Sequence, residues 1–174
     1  MNSFKGNKIY LRALEPADID YIFSVENNEN YWNVSDSQLP FSKFVLKDYL
    51  NNTNKDIYEI KQVRLVISNF NDTAIGMIDL FDIDFKNKRA CIGVIINDNE
   101  QNKGYASEAL DLILNYSANH LSLNQLYCNI LNDNKISLKL FLNKKFKIVG
   151  VKKKWVYFNN KFYDEILLQR LICT

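Results

Sequence analysis

The stretch from Arg89 to Leu110 limits what this chain can become more than any other. Cys91 to Ile96 is a short apolar, β-branched run of the kind that fills the middle of a sheet. Ala106, Ala109, Leu110, Ile113, Leu114 and Ser117 then recur at the spacing of one helical face. Between strand and helix lies Gln101-Asn102-Lys103-Gly104-Tyr105-Ala106. A glycine that opens a helix after a strand leaves backbone N–H groups pointing outward, with the positive end of the helix dipole behind them. Such a place binds phosphate or pyrophosphate without any special side chain. An ordinary strand-to-helix connection carries the same lone glycine, so the flanking chain decides between the two.

Lys8 to Leu14 alternates as a first strand, and Glu15-Pro16-Ala17-Asp18 punctuates it and starts a helix at Pro16. Ile19, Ile22, Phe23 and Val25 supply that helix with an apolar side. Asn27 to Asn30 ends it, Tyr31-Trp32 follows, and residues 33–40 read as a loop. A second helix is expected over Phe41 to Leu50, with Phe41, Phe44, Val45 and Tyr49 on one side and Ser42 as its cap. From Gln62 the period changes to two: a strand to Phe70, a turn at Asn71-Asp72, a strand from Ala74 to Ile83, and a turn into the central strand. After the helix from Gly104 to His120 come a strand over Leu123 to Leu131 and a helix over Asn134 to Lys144. A final hairpin, Lys147 to Phe158 and Phe162 to Leu171, turns at Asn159-Asn160.

This order implies one α/β domain over residues 1–174, with a mixed, mostly antiparallel sheet flanked by about four helices. The length suits one sizeable core. A net charge of +2 provides no field to recruit nucleic acid or membrane, and no apolar run approaches a membrane span. No signal peptide is expected, because charged residues interrupt every early apolar run. Cys91, Cys128 and Cys173 are odd in number and adjoin apolar residues, so they read as free thiols of a reducing, cytoplasmic compartment, with no metal site.

The motif Gln-x-x-Gly-x-Ala at 101–106 resembles the acetyl-CoA pyrophosphate loop of the GNAT superfamily of N-acetyltransferases. The element order resembles that superfamily throughout, and Leu11-Arg12-Ala13-Leu14-Glu15-Pro16-Ala17-Asp18 with the Trp32 region is most similar to its ribosomal-protein and spermidine (diamine) branch. The resemblance implies acetyl-CoA as cosubstrate, a primary amine acceptor (small molecule or peptide) and direct attack in a ternary complex. Homo-oligomers fit the same family. It places the pantetheine arm on the backbone of Val94, Ile95 and Ile96, with an N–H near Ile95 facing the thioester oxygen. Gln101, Asn102, Lys103, Gly104, Tyr105 and Ala106 then hold the pyrophosphate. Asn134-Lys135-Ile136-Ser137 resembles the second acetyl-CoA element, so Asn134 and Ser137 join the cofactor residues, although Asn134 is equally a good helix cap.

Three departures matter. Seven residues past Asn134, where many relatives place a tyrosine that protonates the departing thiolate, stands Phe141, beside the cofactor but without an acidic proton. Lys145 replaces the glycine usual before Phe146. A thiol titrates near 8.5, so the thiolate is a tolerable leaving group, and Ser137 or a water is left for the acid role. Cys91 stands where several relatives carry glutamate, and it reads as a packed thiol.

For the proton of the amine, Asp79 and Asp82 are candidates. Strand alternation sets them on opposite faces. Asp82 falls where the branch often has a carboxylate, whereas Asp79 shares its face with Ile75, Met77 and Phe81 and so needs a partner or carries a raised pKa. Glu26, Glu29, Trp32, Asp36, Glu59 and Asp82 are candidates for the acceptor side, and together they favour a cationic amine. Lys152 to Tyr163 mixes bases with aromatics as a nucleic-acid surface does, yet its alternation fits a hairpin equally. His120 ends a helix, where a cation suits the dipole, and is a poor base. An acyl-CoA sensor without catalysis and an amino-sugar acetyltransferase remain as alternative readings.

Overall fold

The computed structural model describes residues 3–35, 39–52 and 56–172, and of residues 33–35 and 52 the backbone alone. The chain divides into two compact units, Met1–Arg12 with Lys61–Thr174, and Ala13–Ile60.

The larger unit is a seven-stranded sheet in the order β1-β2-β3-β4-β5-β7-β6. Its strands are β1 (Ile9–Arg12), β2 (Val63–Asn69), β3 (Ala74–Asp84), β4 (Arg89–Ile96), β5 (Gln125–Leu131), β6 (Lys147–Phe158) and β7 (Lys161–Leu171). Only β4 and β5 run parallel, as the helix between them requires. Helices α1 to α4 are described with the smaller unit, so the larger one holds α5 (Tyr105–Asn119) and α6 (Lys135–Asn143). The expected stripe on α5 is real: Ala109, Leu110, Ile113, Leu114 and Ser117 are buried. Leu80, Ile92, Leu126 and Leu168 are buried on neighbouring strands. Asn159 and Asn160 both take positive φ, the turn that matches the twist of a tight hairpin. Two of that hairpin's lysines are ion-paired to its other strand, Lys152 with Glu165 and Lys153 with Asp164. Asn134 caps α6. The helix ends with Phe146 N–H on the Phe141 carbonyl and Lys145 N–H on the Leu142 carbonyl, a Schellman closure. Phe141 and Phe146 meet edge to face at 5.0 Å across it. The closure needs a left-handed residue, and Lys145 takes that role at φ 63, which explains the glycine usual there and costs this chain about 1 kcal/mol.

The smaller unit holds α1 (Ile19–Glu26), α2 (Glu29–Ser35), α3 (Lys43–Asn52) and α4 (Ile57–Ile60). A 3-10 turn at Pro16–Asp18 precedes α1, closed by the Glu15–Asp18 capping box. Ser42 caps α3 through the Val45 N–H. Two expectations fail here. The segment after Asn30 is helix, not loop, as far as Ser35. Phe44 and Val45 are exposed, and Leu46 and Leu50 are the buried stripe of α3, packed with Ile22, Ile19, Phe23 and Phe41. Among the described residues no helix is long and apolar enough to cross a membrane.

Candidate active site

The site begins where two parallel strands stop being neighbours. β4 pairs with β3 along its length, from Phe81↔Cys91 to Gly76↔Ile96. With β5 it pairs only from Arg89↔Gln125 to Cys91↔Tyr127. Beyond that point β5 stays with β7 as far as Leu131, while Ile92–Ile96 stay with β3. The sheet therefore splits, and among the described residues the edge of β4 that faces away from β3 has no strand partner over Ile92–Ile96. Backbone groups so exposed demand hydrogen bonds from elsewhere. Val94, Ile95 and Ile96 are half-buried in this split.

Each arm of the split runs into a helix start. After β4, Asn97 N–H donates to the Ile75 carbonyl and a 3-10 turn covers Asp98–Glu100. Gln101 folds back, its Nε2 donating to the Ile96 carbonyl (3.3 Å) and to Asp98 Oδ1 (3.2 Å). Asn102 (φ 61) and Gly104 (φ 87) are both left-handed, and Gly104 is the N-cap of α5 without a side-chain cap. The first N–H groups of α5, from Tyr105 to Ser107, thus lack intrahelical acceptors and open toward an anion. Lys103 is ion-paired to Glu100 at 2.9 Å. After β5, Asn134 Oδ1 accepts the Ser137 N–H at 3.1 Å, so that amide oxygen serves the cap. Phe141, placed beside the cofactor by resemblance, is only 3% exposed and belongs to the core through Phe146.

The two aspartates differ sharply. Asp79 lies opposite Arg64 in the β2–β3 register, and Arg64 grips it with two bonds, Nε to Oδ1 at 2.8 Å and Nη2 to Oδ2 at 2.9 Å. Its surroundings are answered by a partner. Asp82 sits on a bulge between Phe81 and Asp84, at φ 50, so the alternation used to set it opposite Asp79 does not reach it. The bulge is held by Ile83 N–H on the Lys61 carbonyl. Asp82 is exposed, and its charge is felt by Cys91 and by the Tyr127 phenol. Burial pushes the Cys91 thiol up to about 12, with Asp82 adding to the rise, so it is a neutral, unreactive thiol. Burial also raises the Tyr127 phenol, followed by Cys91 and Asp82.

In the smaller unit, Trp32 Nε1 donates to the Glu26 carbonyl at 2.8 Å, Glu29 opens α2, and Glu59 is exposed on α4. Asp36 lies outside the described residues. Three residues of the larger unit were not anticipated: Arg64, Tyr127 and Gly76. A Cβ on Gly76 would lie 2.4 Å from the Ile95 carbonyl oxygen, so only glycine lets β3 approach β4 there.

A split sheet with an open strand edge leading into a glycine-opened helix start suits a thioester-linked nucleotide, and its class is that of the acyl-CoA-dependent transferases. Residues 8–147 match the acetyltransferase (GNAT) domain, and the chain belongs to that family of N-acetyltransferases, with acetyl-CoA as cosubstrate. It is 27% identical over 162 residues to a spermidine N(1)-acetyltransferase of Vibrio cholerae, covering 91% of this chain and 90% of that one. A crystal structure of spermidine N-acetyltransferase from the same organism, in complex with CoA and spermine, superimposes with a TM-score of 0.87 at 24% identity, over 95% of this chain and 96% of that chain. A dodecameric structure of that enzyme gives 0.82 at 25% identity, over 96% and 95%.

Proposed function

We propose that this single-domain chain moves the acetyl group of acetyl-CoA to a primary amine, with a polyamine or diamine as the first choice of acceptor and a protein N-terminus as the second. The observation that carries this reading is the loss of pairing between β4 and β5 after Cys91↔Tyr127. Val94, Ile95 and Ile96 offer the pantetheine arm a strand edge, and residues 101–106 offer the pyrophosphate a helix start. Asp82 takes a proton from the ammonium form of the acceptor, directly or through water. The free nitrogen attacks the thioester carbonyl, whose oxygen gains charge near the Ile95 N–H. The C–N bond forms, the nitrogen gives its second proton to water, the C–S bond breaks, and CoA leaves as a thiolate that needs no strong acid. Ser137 or a water supplies what protonation is required, since Phe141 has none to give. Holding amine and thioester together removes the entropic cost of their encounter. The names of the relatives support a polyamine.

The buried, hydroxyl-free Phe141 favours one alternative, an acyl-CoA sensor that does not turn over. CoA release measured with spermidine, spermine, diamines, N-terminal peptides and amino sugars separates the two. Turnover on a polyamine is expected, and Gly104→Glu is expected to abolish it by placing a carboxylate at a left-handed position inside the anion site. Binding of acetyl-CoA without turnover on any acceptor would favour the sensor.

Self-association belongs to the same proposal. Ile148, Val151, Trp155 and Tyr157 on β6 and Phe162 on β7 are all exposed, and a cluster of large apolar side chains on one hairpin is the kind of surface that marks an interface. A second copy of the chain is the proposed occupant, in keeping with the dodecameric relative. Light scattering on active protein is expected to give a mass several times that of one chain, and a monomer would refute it.

A further inference from the structure

The chain's first residues form a hairpin that the acetyl-CoA reading leaves unused. Leu11 N–H donates to the Phe4 carbonyl at 2.8 Å and Gly6 N–H to the Ile9 carbonyl at 2.9 Å, so Asn7 and Lys8 sit at its tip. The hairpin lies along α5. Near the far end of that helix Ser3 Oγ is 2.9 Å from His120 Nε2, and Phe4 packs on Tyr116 at 4.8 Å. At the near end the carboxylate of Glu108, in the first turn, accepts the Asn7 N–H and, at 3.2 Å on both oxygens, the Lys8 N–H. A Cβ on Gly6 would overlap the Glu108 carboxylate, which would have to give way.

This strap delivers one side chain to the pyrophosphate loop. Lys8 Nζ donates to the Lys103 carbonyl at 3.1 Å and lies 3.6 Å from where a Cβ of Gly104 would be. Lys103, the cation within the loop itself, is neutralised by Glu100. Lys8 pairs with no carboxylate among the described residues, and its carbonyl bond uses one of three ammonium hydrogens. Glu108, the acid nearest the helix start, is occupied by the two backbone N–H groups. Beside the open N–H groups of α5 the loop therefore has an ammonium with no ion pair among the described residues, brought there by a residue 95 positions earlier in the chain.

We propose that Lys8 is a phosphate contact for acetyl-CoA, positioned by the clamp of Asn7 and Lys8 on Glu108. The proposal rests on the reading that the Gly104 loop receives the pyrophosphate. Acetyl-CoA offers two sources of the same chemistry, the pyrophosphate and the ribose phosphate. An ammonium already fixed at the loop loses little freedom on binding either one.

Titration calorimetry with acetyl-CoA and with dephospho-CoA tests it, on wild type, Lys8→Ala, Lys8→Arg and Gly104→Glu, each from low to high salt. Lys8→Ala is expected to weaken acetyl-CoA about tenfold at low salt, with the gap closing as salt rises because the contact is a screened charge. Lys8→Arg should stay close to wild type. If the loss persists with dephospho-CoA the pyrophosphate is the partner, and if it vanishes the ribose phosphate is. An unchanged affinity in Lys8→Ala, beside loss in Gly104→Glu, would overturn the Lys8 assignment and keep the loop. Weakening of equal size at every salt would make Lys8 a structural prop and also overturn it. Wild-type binding in Gly104→Glu would remove the loop reading, and Lys8 with it.

Discussion

Replacing Gly76 by alanine is expected to lower kcat/KM for acetyl-CoA by about 100-fold while the sheet still folds. The new methyl group would lie 2.4 Å from the Ile95 carbonyl oxygen, 2.8 Å from Ile96 Cδ1 and 3.3 Å from Ile67 Cδ1. The isoleucine side chains can turn aside, but a backbone oxygen cannot. β4 must move by a few tenths of an ångström or more at Ile95, where the proposed mechanism polarises the thioester. Overpacking of this kind costs about 1–3 kcal/mol, which a core of this size absorbs. Gly93→Ala is the control: its Cβ would meet only the Phe81 ring, at 3.5 Å, and should leave both fold and rate intact. Equal activity in the two variants would disconnect the Ile95 backbone from the chemistry.

The second large effect separates the two aspartates. Asp82→Asn is expected to reduce kcat about 100-fold, the usual scale for loss of a proton acceptor, with stability nearly unchanged because the side chain is exposed. Asp79→Asn should do the reverse. It strips the bidentate partner from Arg64, whose side chain is about four-fifths covered (20% exposed), and should cost about 2–3 kcal/mol in urea unfolding, with kcat per folded molecule retained. A large kcat loss in Asp79→Asn at full stability would exchange the two roles.

How far these roles could be read from the chain depended on what kind of information each needed. The α5 stripe, the Gly104 start, the Asn134 cap and the last hairpin are local patterns, and all stand as read. α2 was missed because Asn27 to Asn30 reads as a turn; the Trp32 bond to the Glu26 carbonyl, a tertiary contact, favours the helix. On α3 two apolar stripes fit one helical period, and only packing against Ile22 selects Leu46 and Leu50 over Phe44 and Val45. Arg64 was legible in principle. It and Asp79 lie equally far from the Asn71-Asp72 turn, although the shift between Ile67 and Ser68 is what brings the strands into that register. The Asp82 bulge was not legible, since its anchor is the carbonyl of Lys61, outside both strands of that pair. Lys8 lay beyond reach for a similar reason, because a hairpin tip meets a loop from the middle of the chain.

A sheet edge without a partner is ordinarily a hazard, because it can template the strand of another chain. The open edge of β4 is only Ile92–Ile96 long, and it lies inside the sheet, with β3 paired along one side and β5 already committed to β7 on the other. An incoming peptide would have to thread between two arms of a single sheet with its side chains on both faces. The exposed outer strand, β6, is protected differently, by two register shifts and the lysines from Lys152 to Lys154. On the proposed reading the inner edge discriminates by width: it resists aggregation while admitting an unbranched, amide-bearing chain thinner than a polypeptide.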